Sequence, residues 1–101
     1  KPWYMHGTSH WLGRDVHDVG SYQDAAGVPT RLKKGMVLTI EPGLYFDAND
    51  KKVPAKYRGI GVRIEDDYII TGKGLERISL VPREMDEIEA LMKRRAKIQP
   101  E

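Results

Sequence analysis

The run His6-Gly7-Thr8-Ser9-His10-Trp11-Leu12-Gly13-Arg14-Asp15-Val16-His17-Asp18-Val19-Gly20 constrains the fold more than any other stretch. It holds all three histidines of the chain and breaks them up with Gly7, Gly13 and Gly20. Glycine costs about 1 kcal/mol in a helix interior and permits close backbone approach, so a long helix does not fit here. The run reads as irregular backbone with a short strand over residues 9–12. The local rival is a helix that sets His6 and His10 one turn apart as a metal pair. Such a pair wants a glutamate after the first histidine, where this chain has Gly7. Imidazoles gathered among glycines and acids point to a site rather than to a core.

The remaining chain predicts mostly antiparallel strands and one C-terminal helix, an α+β architecture. Residues 21–35 carry Gly27, Pro29, Gly35 and the cations Arg31, Lys33 and Lys34, and read as a solvated loop entering a strand. Met36-Val37-Leu38-Thr39-Ile40-Glu41 is that strand, stopped by Pro42-Gly43. Alternation puts Met36, Leu38 and Ile40 on one face, and Val37, Thr39 and Glu41 on the other. Residues 46–58 are polar, with an Asn49-Asp50 turn signal and Pro54, and read as a surface loop. Ile60-Gly61-Val62-Arg63-Ile64-Glu65 alternates again, with Gly61, Arg63 and Glu65 sharing a face. An extended run through Thr71 closes at Gly72-Lys73-Gly74, and a short strand near residues 76–80 returns beside it. From Pro82 the period becomes helical, with Met85, Ile88, Leu91 and Met92 on one face. Acids at its start (Asp86, Glu87, Glu89) and bases at its end (Lys93, Arg94, Arg95, Lys97) suit the helix dipole.

Composition removes several function classes. A net charge of +2 over 101 residues offers no basic field for nucleic acid. Apolar runs fall well short of the roughly 20 residues of a membrane span. Cysteine is absent, so a metal has to be held by His, Asp or Glu. That absence suits a reducing compartment. The chain starts at Lys1 and reaches its histidines at once. Residues 1–101 are therefore expected to be a single partial domain, the C-terminal portion of a longer catalytic domain.

Histidines plus Glu41 and Glu65 make a donor set without thiolate that suits Mn, Co, Zn or Fe(II). Carboxylates can bridge two metals roughly 3.5–4 Å apart, acidify a water and clamp a hydrolytic transition state. Each residue also has a plain alternative. A glutamate at a strand end can be merely exposed, Arg63 and Glu65 can pair across solvent, and a histidine can be structural. Patterning leaves both readings standing and does not name the reaction.

Three blocks carry more than pattern. They are His6-Gly7-Thr8-Ser9-His10-Trp11-Leu12-Gly13 with Asp15-Val16-His17-Asp18, then Gly35-Met36-Val37-Leu38-Thr39-Ile40-Glu41-Pro42-Gly43-Leu44-Tyr45, then Tyr57-Arg58-Gly59-Ile60-Gly61-Val62-Arg63-Ile64-Glu65-Asp66-Asp67. In this order and spacing the chain resembles the C-terminal half of the catalytic domain of Xaa-Pro aminopeptidase (aminopeptidase P), a dinuclear metallopeptidase of the pita-bread fold. The resemblance implies two divalent ions, usually Mn(II), and hydrolysis of the bond between an N-terminal residue and a following proline. It implies His10, Glu41 and Glu65 as metal ligands, with Glu65 bridging and Glu41 also serving proton transfer with the metal-bound water. His6, Tyr45 and Arg63 would line the pocket for the proline side. His17 would contact substrate and help stabilise the transition state.

The same resemblance implies two aspartate ligands and a further histidine from the other half of the domain. Asp15, Asp18, Asp66 and Asp67 do not match that motif. The chain alone is therefore expected to be inactive, to need the remainder of the catalytic domain as partner, and to work as a cytoplasmic homo-oligomer on peptides with proline in second position. Prolidase (Xaa-Pro dipeptidase) is the close rival, since it shares fold, metals and much of the motif. A non-catalytic binding protein on the same fold is the rival of another class. Such proteins typically lose ligands, whereas His10, Glu41 and Glu65 are all present.

Overall fold

In the computed structural model, which describes residues 2–94, two long bent arms of chain pair antiparallel and divide into two ladders. The first arm is β1 (Val37–Ile40) followed by β2 (Gly43–Tyr45). The second is β3 (Gly61–Arg63) followed by β4 (Asp66–Thr71). β2 pairs with β3, and β1 pairs with β4. β5 (Gly74–Arg77) returns on β4 through a tight Gly72-Lys73 turn, so the larger sheet runs β1-β4-β5. A 3-10 turn over Ala55–Tyr57 and the helix α1 (Met85–Lys93) complete the elements.

The expected strand over residues 60–65 is shorter in the structure, and so is the one over 36–41. Both stop where the arms bend. Pro42 has no N–H to donate to a ladder, which favours a break at that point. The register nevertheless carries through. The offset that pairs Ile40 with Asp66 also pairs Gly43 with Arg63, so Glu41 stands opposite Glu65 in the gap. Ile64 N–H donates to the Pro42 carbonyl across it at 3.2 Å. The two glutamates are thus not borne within strands, as the alternation suggested, but sit at matched kinks between them. The returning strand also begins earlier than expected, at Gly74 rather than near residue 76.

The histidine run lies on the free edge of β1 as an extended segment. Glu41 N–H donates to the Thr8 carbonyl at 2.7 Å, Thr39 N–H to that of His10 at 2.9 Å, and Leu12 N–H to that of Val37 at 3.1 Å. Trp11 bridges Leu38 in the same register. The short strand expected over residues 9–12 therefore exists as an edge pairing, and the helical rival for His6 and His10 is excluded by the same hydrogen bonds.

Little is sealed from solvent. Among the described residues Leu38 (7% exposed) and Val53 (4%) are the buried large apolar side chains, joined by Thr39 (1%) and Asp66 (4%). Leu44, Val62 and Ile64 stand open on the back of the β2–β3 ladder, and so do Met85, Ile88, Leu91 and Met92 on the apolar face of α1. The radius of gyration is 18.3 Å, against about 13 Å for a compact domain of this length. The expected helix is present with its acidic start, Asp86 and Glu87, and with Lys93 in the last turn. Arg95 and Lys97 lie outside the described residues.

Candidate metal centre and adjoining pocket

Because the register persists through the kink, one face of the bent ladder carries Thr39, Glu41, Gly43 and Tyr45 from one arm and Gly61, Arg63, Glu65 and Asp67 from the other. Like charges placed directly opposite across a ladder repel. Glu41 and Glu65 are such a pair, and the His10 ring completes a triangle with them. His10 Nε2 lies 3.6 Å from Glu41 Oε2 and 3.6 Å from Glu65 Oε1. One donor atom from each of the three residues falls within 4.8 Å of the others. The side chains of His10 and Glu41 are 12% exposed, and that of Glu65 is 41% exposed.

Local hydrogen bonds decide what His10 offers. Its Nδ1 lies 2.9 Å from the Trp11 carbonyl, which can only accept, so Nδ1 carries the proton. Nε2 then turns a lone pair toward two carboxylates. Three electron-rich groups aimed at one point suit a cation, and a ligating histidine usually donates its other N–H in this way. The His10 backbone is fixed as well. Its N–H donates to Thr39 Oγ1 at 3.1 Å, returning the bond that Thr39 N–H makes to the His10 carbonyl. The carboxyl of Glu65 is held above its ordinary value, first by the hydrogen bond it shares with Glu41, then by burial and the Glu41 charge, with His10 acting in the opposite sense.

Beside this triangle lies a second group. Arg63 Nε donates to the Tyr45 hydroxyl at 2.7 Å and lies 3.2 Å from His6 Nε2. The Tyr45 hydroxyl is 2.6 Å from His6 Nε2. His6 Nδ1 lies 2.7 Å from the Gly7 carbonyl, so Nε2 is the acceptor and Tyr45 donates to it. A directed chain from Arg63 through Tyr45 to His6 results, which fixes all three side chains at one wall. Arg63 therefore pairs with this group among the described residues, not with Glu65 across solvent as one sequence alternative had it. His17 is exposed, and its ring centroid lies 4.6 Å from that of His10, edge to face. The Asp18 N–H bond to the Trp11 carbonyl, at 3.2 Å, closes the loop that brings it there.

The Tyr45 ring lies against two glycines. A Cβ on Gly43 would come within 2.6 Å of its hydroxyl oxygen, and a Cβ on Gly61 within 2.8 Å of its ring. No side chain fits beneath the ring at either position, which explains glycine at both. Gly61→Ala is expected to displace Tyr45 and destabilise the full-length protein by about 1–3 kcal/mol, as overpacking does. Chemical denaturation checks it, and a wild-type midpoint would show that the ring has room.

Some contributors were not foreseen from sequence. Thr39 was only a member of a face, yet its hydroxyl anchors His10. A polar residue alternating with Glu41 in an otherwise apolar strand was the available signal. Asp66, set aside as a ligand, proves to be a buried carboxylate bound to Ser79 and Arg83.

A bent antiparallel ladder that brings His10, Glu41 and Glu65 together suits a metal-dependent hydrolase, and the family model for metallopeptidase family M24 matches residues 1–72. The chain belongs to that family. It is 57% identical over 94 residues to the Xaa-Pro aminopeptidase of Escherichia coli (strain K12), an alignment covering 91% of this chain and 20% of that protein. It is 40% identical over 114 residues to the human Xaa-Pro dipeptidase, covering 86% of this chain and 23% of that one. Among solved structures, aminopeptidase PepP of Pseudomonas aeruginosa matches with a TM-score of 0.83 at 50% identity, over 90% of this chain and 21% of that one. The chain thus spans about a fifth of the length of these relatives. The bent ladder and its helix are part of the pita-bread fold that the motifs implied.

Proposed function

We propose that this chain supplies one wall of the active site of an Xaa-Pro aminopeptidase, which hydrolyses the bond between an N-terminal residue and a following proline. The observation that carries the reading is the convergence of His10, Glu41 and Glu65 within 4.8 Å on the face that also holds the Arg63–Tyr45–His6 chain. The greater identity to Xaa-Pro aminopeptidases than to the dipeptidase supports this reading over prolidase.

Divalent ions held there, for which the oxygen-rich donors favour Mn(II), would supply Lewis acidity toward the scissile carbonyl and an acidified water. Glu65, opposite Glu41 and the more exposed of the two, is suited to bridge two ions. Glu41 would take a proton from the attacking water and pass it to the leaving nitrogen. The apolar edge of the Tyr45 ring and the fixed His6 ring form a surface for a proline ring, with the Arg63 charge beside it for a peptide carbonyl or carboxylate. The edge-to-face contact of the exposed His17 with His10 supports a role for His17 in donating to the oxygen on which charge develops.

The chain's share of its relatives' length supports completion of the centre by carboxylates from the remainder of the catalytic domain. The open apolar back of β2–β3 and the open face of α1 support apolar cover from that remainder. The lack of cysteine supports a cytoplasmic location. Among the described residues no helix is long and apolar enough to cross a membrane.

The deciding experiment is hydrolysis of Xaa-Pro dipeptides and longer Xaa-Pro peptides by the full-length protein, after chelation and after Mn(II) is restored. Metal-dependent release of the N-terminal residue from longer peptides is expected. Cleavage of dipeptides alone would move the assignment to prolidase, and absence of cleavage would leave a binding protein. Within that assay, Tyr45→Ala is expected to raise KM about tenfold, roughly 1.4 kcal/mol of uniform binding, with metal content unchanged. Equal loss of substrate and metal binding would place Tyr45 in the metal centre instead.

A further inference from the structure

Glu65 makes few contacts of its own. Its side chain is 41% exposed and meets Glu41 and His10, the two groups with which it would share a cation. Neither fixes it from outside the centre. Its position is set by the backbone, and the backbone just after it is held unusually well.

Asp66 points to the opposite face from Glu65, as neighbours on an extended chain do, and is 4% exposed. Its Oδ1 accepts from Ser79 Oγ at 2.8 Å, and its Oδ2 accepts from Arg83 at 2.8 Å, with Arg77 at 3.6 Å. Ser79 Oγ also accepts from Asp67 N–H at 2.9 Å, and Ile78 N–H donates to the Asp67 carbonyl at 2.8 Å. Each of these bonds ties the two residues following Glu65 to residues 77–83, a segment that contributes nothing to the triangle. Bonds on both oxygens of one buried carboxylate fix it in place and in rotation. Among the described residues Glu41 has no counterpart of this kind. It is held by backbone bonds within the ladder itself.

We propose that Asp66, clamped by Ser79 and Arg83, is the positioning residue that sets Glu65 for metal bridging, so that residues 77–83 control the metal centre without touching it. The inference rests on the metal reading proposed above. A bridging carboxylate has to present two oxygens to two ions, and a small rotation of its backbone moves both. An acid on the opposite face can supply that rigidity without competing for the ions.

The test uses the full-length protein with Co(II) or Mn(II) as probe. Ser79→Ala, which removes one clamp bond, and Asp66→Asn, which removes the charge, are expected to weaken metal binding 10–100-fold and to alter the visible spectrum of the Co(II) form. Ser79→Thr keeps the hydroxyl and is expected to restore both toward wild type. If Asp66→Asn does not fold, the Ser79 pair decides. Lowered thermal stability in Ser79→Ala with wild-type metal affinity and Co(II) spectrum would reduce the cluster to a structural one and overturn the inference alone. A wild-type protein that binds neither probe would overturn the metal reading first.

Discussion

Glu65→Gln in the full-length protein is expected to leave no more than about a thousandth of the wild-type activity and to empty both metal positions. Losing a partner that merely supports a ligand costs 10–100-fold in affinity, and losing a bridging ligand costs more. On the proposed reading Glu65 is the ligand shared by two ions, so its loss would reach both positions, while Glu41, opposite it across the gap, would remain. The same substitution should act the other way on the metal-free protein. Two carboxylates directly opposed across a ladder cost stability, and glutamine removes that repulsion, worth about 0.2–1 kcal/mol.

The pH dependence carries the sign. The Glu65 carboxyl is held above its ordinary value of 4.5, chiefly by the hydrogen bond shared with Glu41. The folded metal-free protein therefore binds more protons there than the unfolded chain does. Its stability falls as pH rises from that ordinary value through the raised one, and Glu65→Gln removes this fall. Metal analysis, turnover and metal-free denaturation curves at two pH values check the set. Full dinuclear content with normal turnover in the variant would sink the ligand assignment.

How much of this was readable beforehand depended on the kind of interaction. The existence and order of the alternating strands, the hairpin closed at Gly72-Lys73 and the C-terminal helix follow from local periodicity and turn chemistry, while their bounds in the structure differ by a few residues. The pairing of Glu41 with Glu65 needed the register between two arms, which no local pattern contains. The motifs carried it only through resemblance. The clamp on Asp66 was hidden for a similar reason. Asp66 and Ser79 are thirteen residues apart, and Asp-Asp after a strand looks like an ordinary solvated turn. Strand bounds were overextended at Glu41 and Glu65 because alternation continues through a kink that hydrogen bonding does not. The tautomers of His6 and His10, which leave Nε2 of one to accept from Tyr45 and turn Nε2 of the other toward Glu41 and Glu65, depend on backbone carbonyls that only the folded chain brings near.

The second large effect concerns the 101-residue chain on its own. It is expected to show no turnover on Xaa-Pro peptides with added Mn(II), and to bind Mn(II) roughly a thousandfold more weakly than the full-length protein, since even one outer partner is worth 10–100-fold. Among the described residues the centre gathers three donors, His10, Glu41 and Glu65, on one side of the ion position. Two of them are like charges with no facing carboxylates to share a second ion. The pocket wall is assembled, but the apolar back of the ladder, Leu44, Val62 and Ile64, is open to water, so a lone chain also tends to associate. Titration calorimetry with Mn(II), read alongside far-ultraviolet circular dichroism to verify the strands, separates weak binding from misfolding. On the proposed reading, adding the separately produced remainder of the catalytic domain should then restore turnover, by supplying facing ligands and an apolar cover without rearranging this wall. Turnover by the 101 residues alone, at a purity that excludes contaminating peptidase, would mean that these three donors suffice and that the dinuclear assignment is wrong.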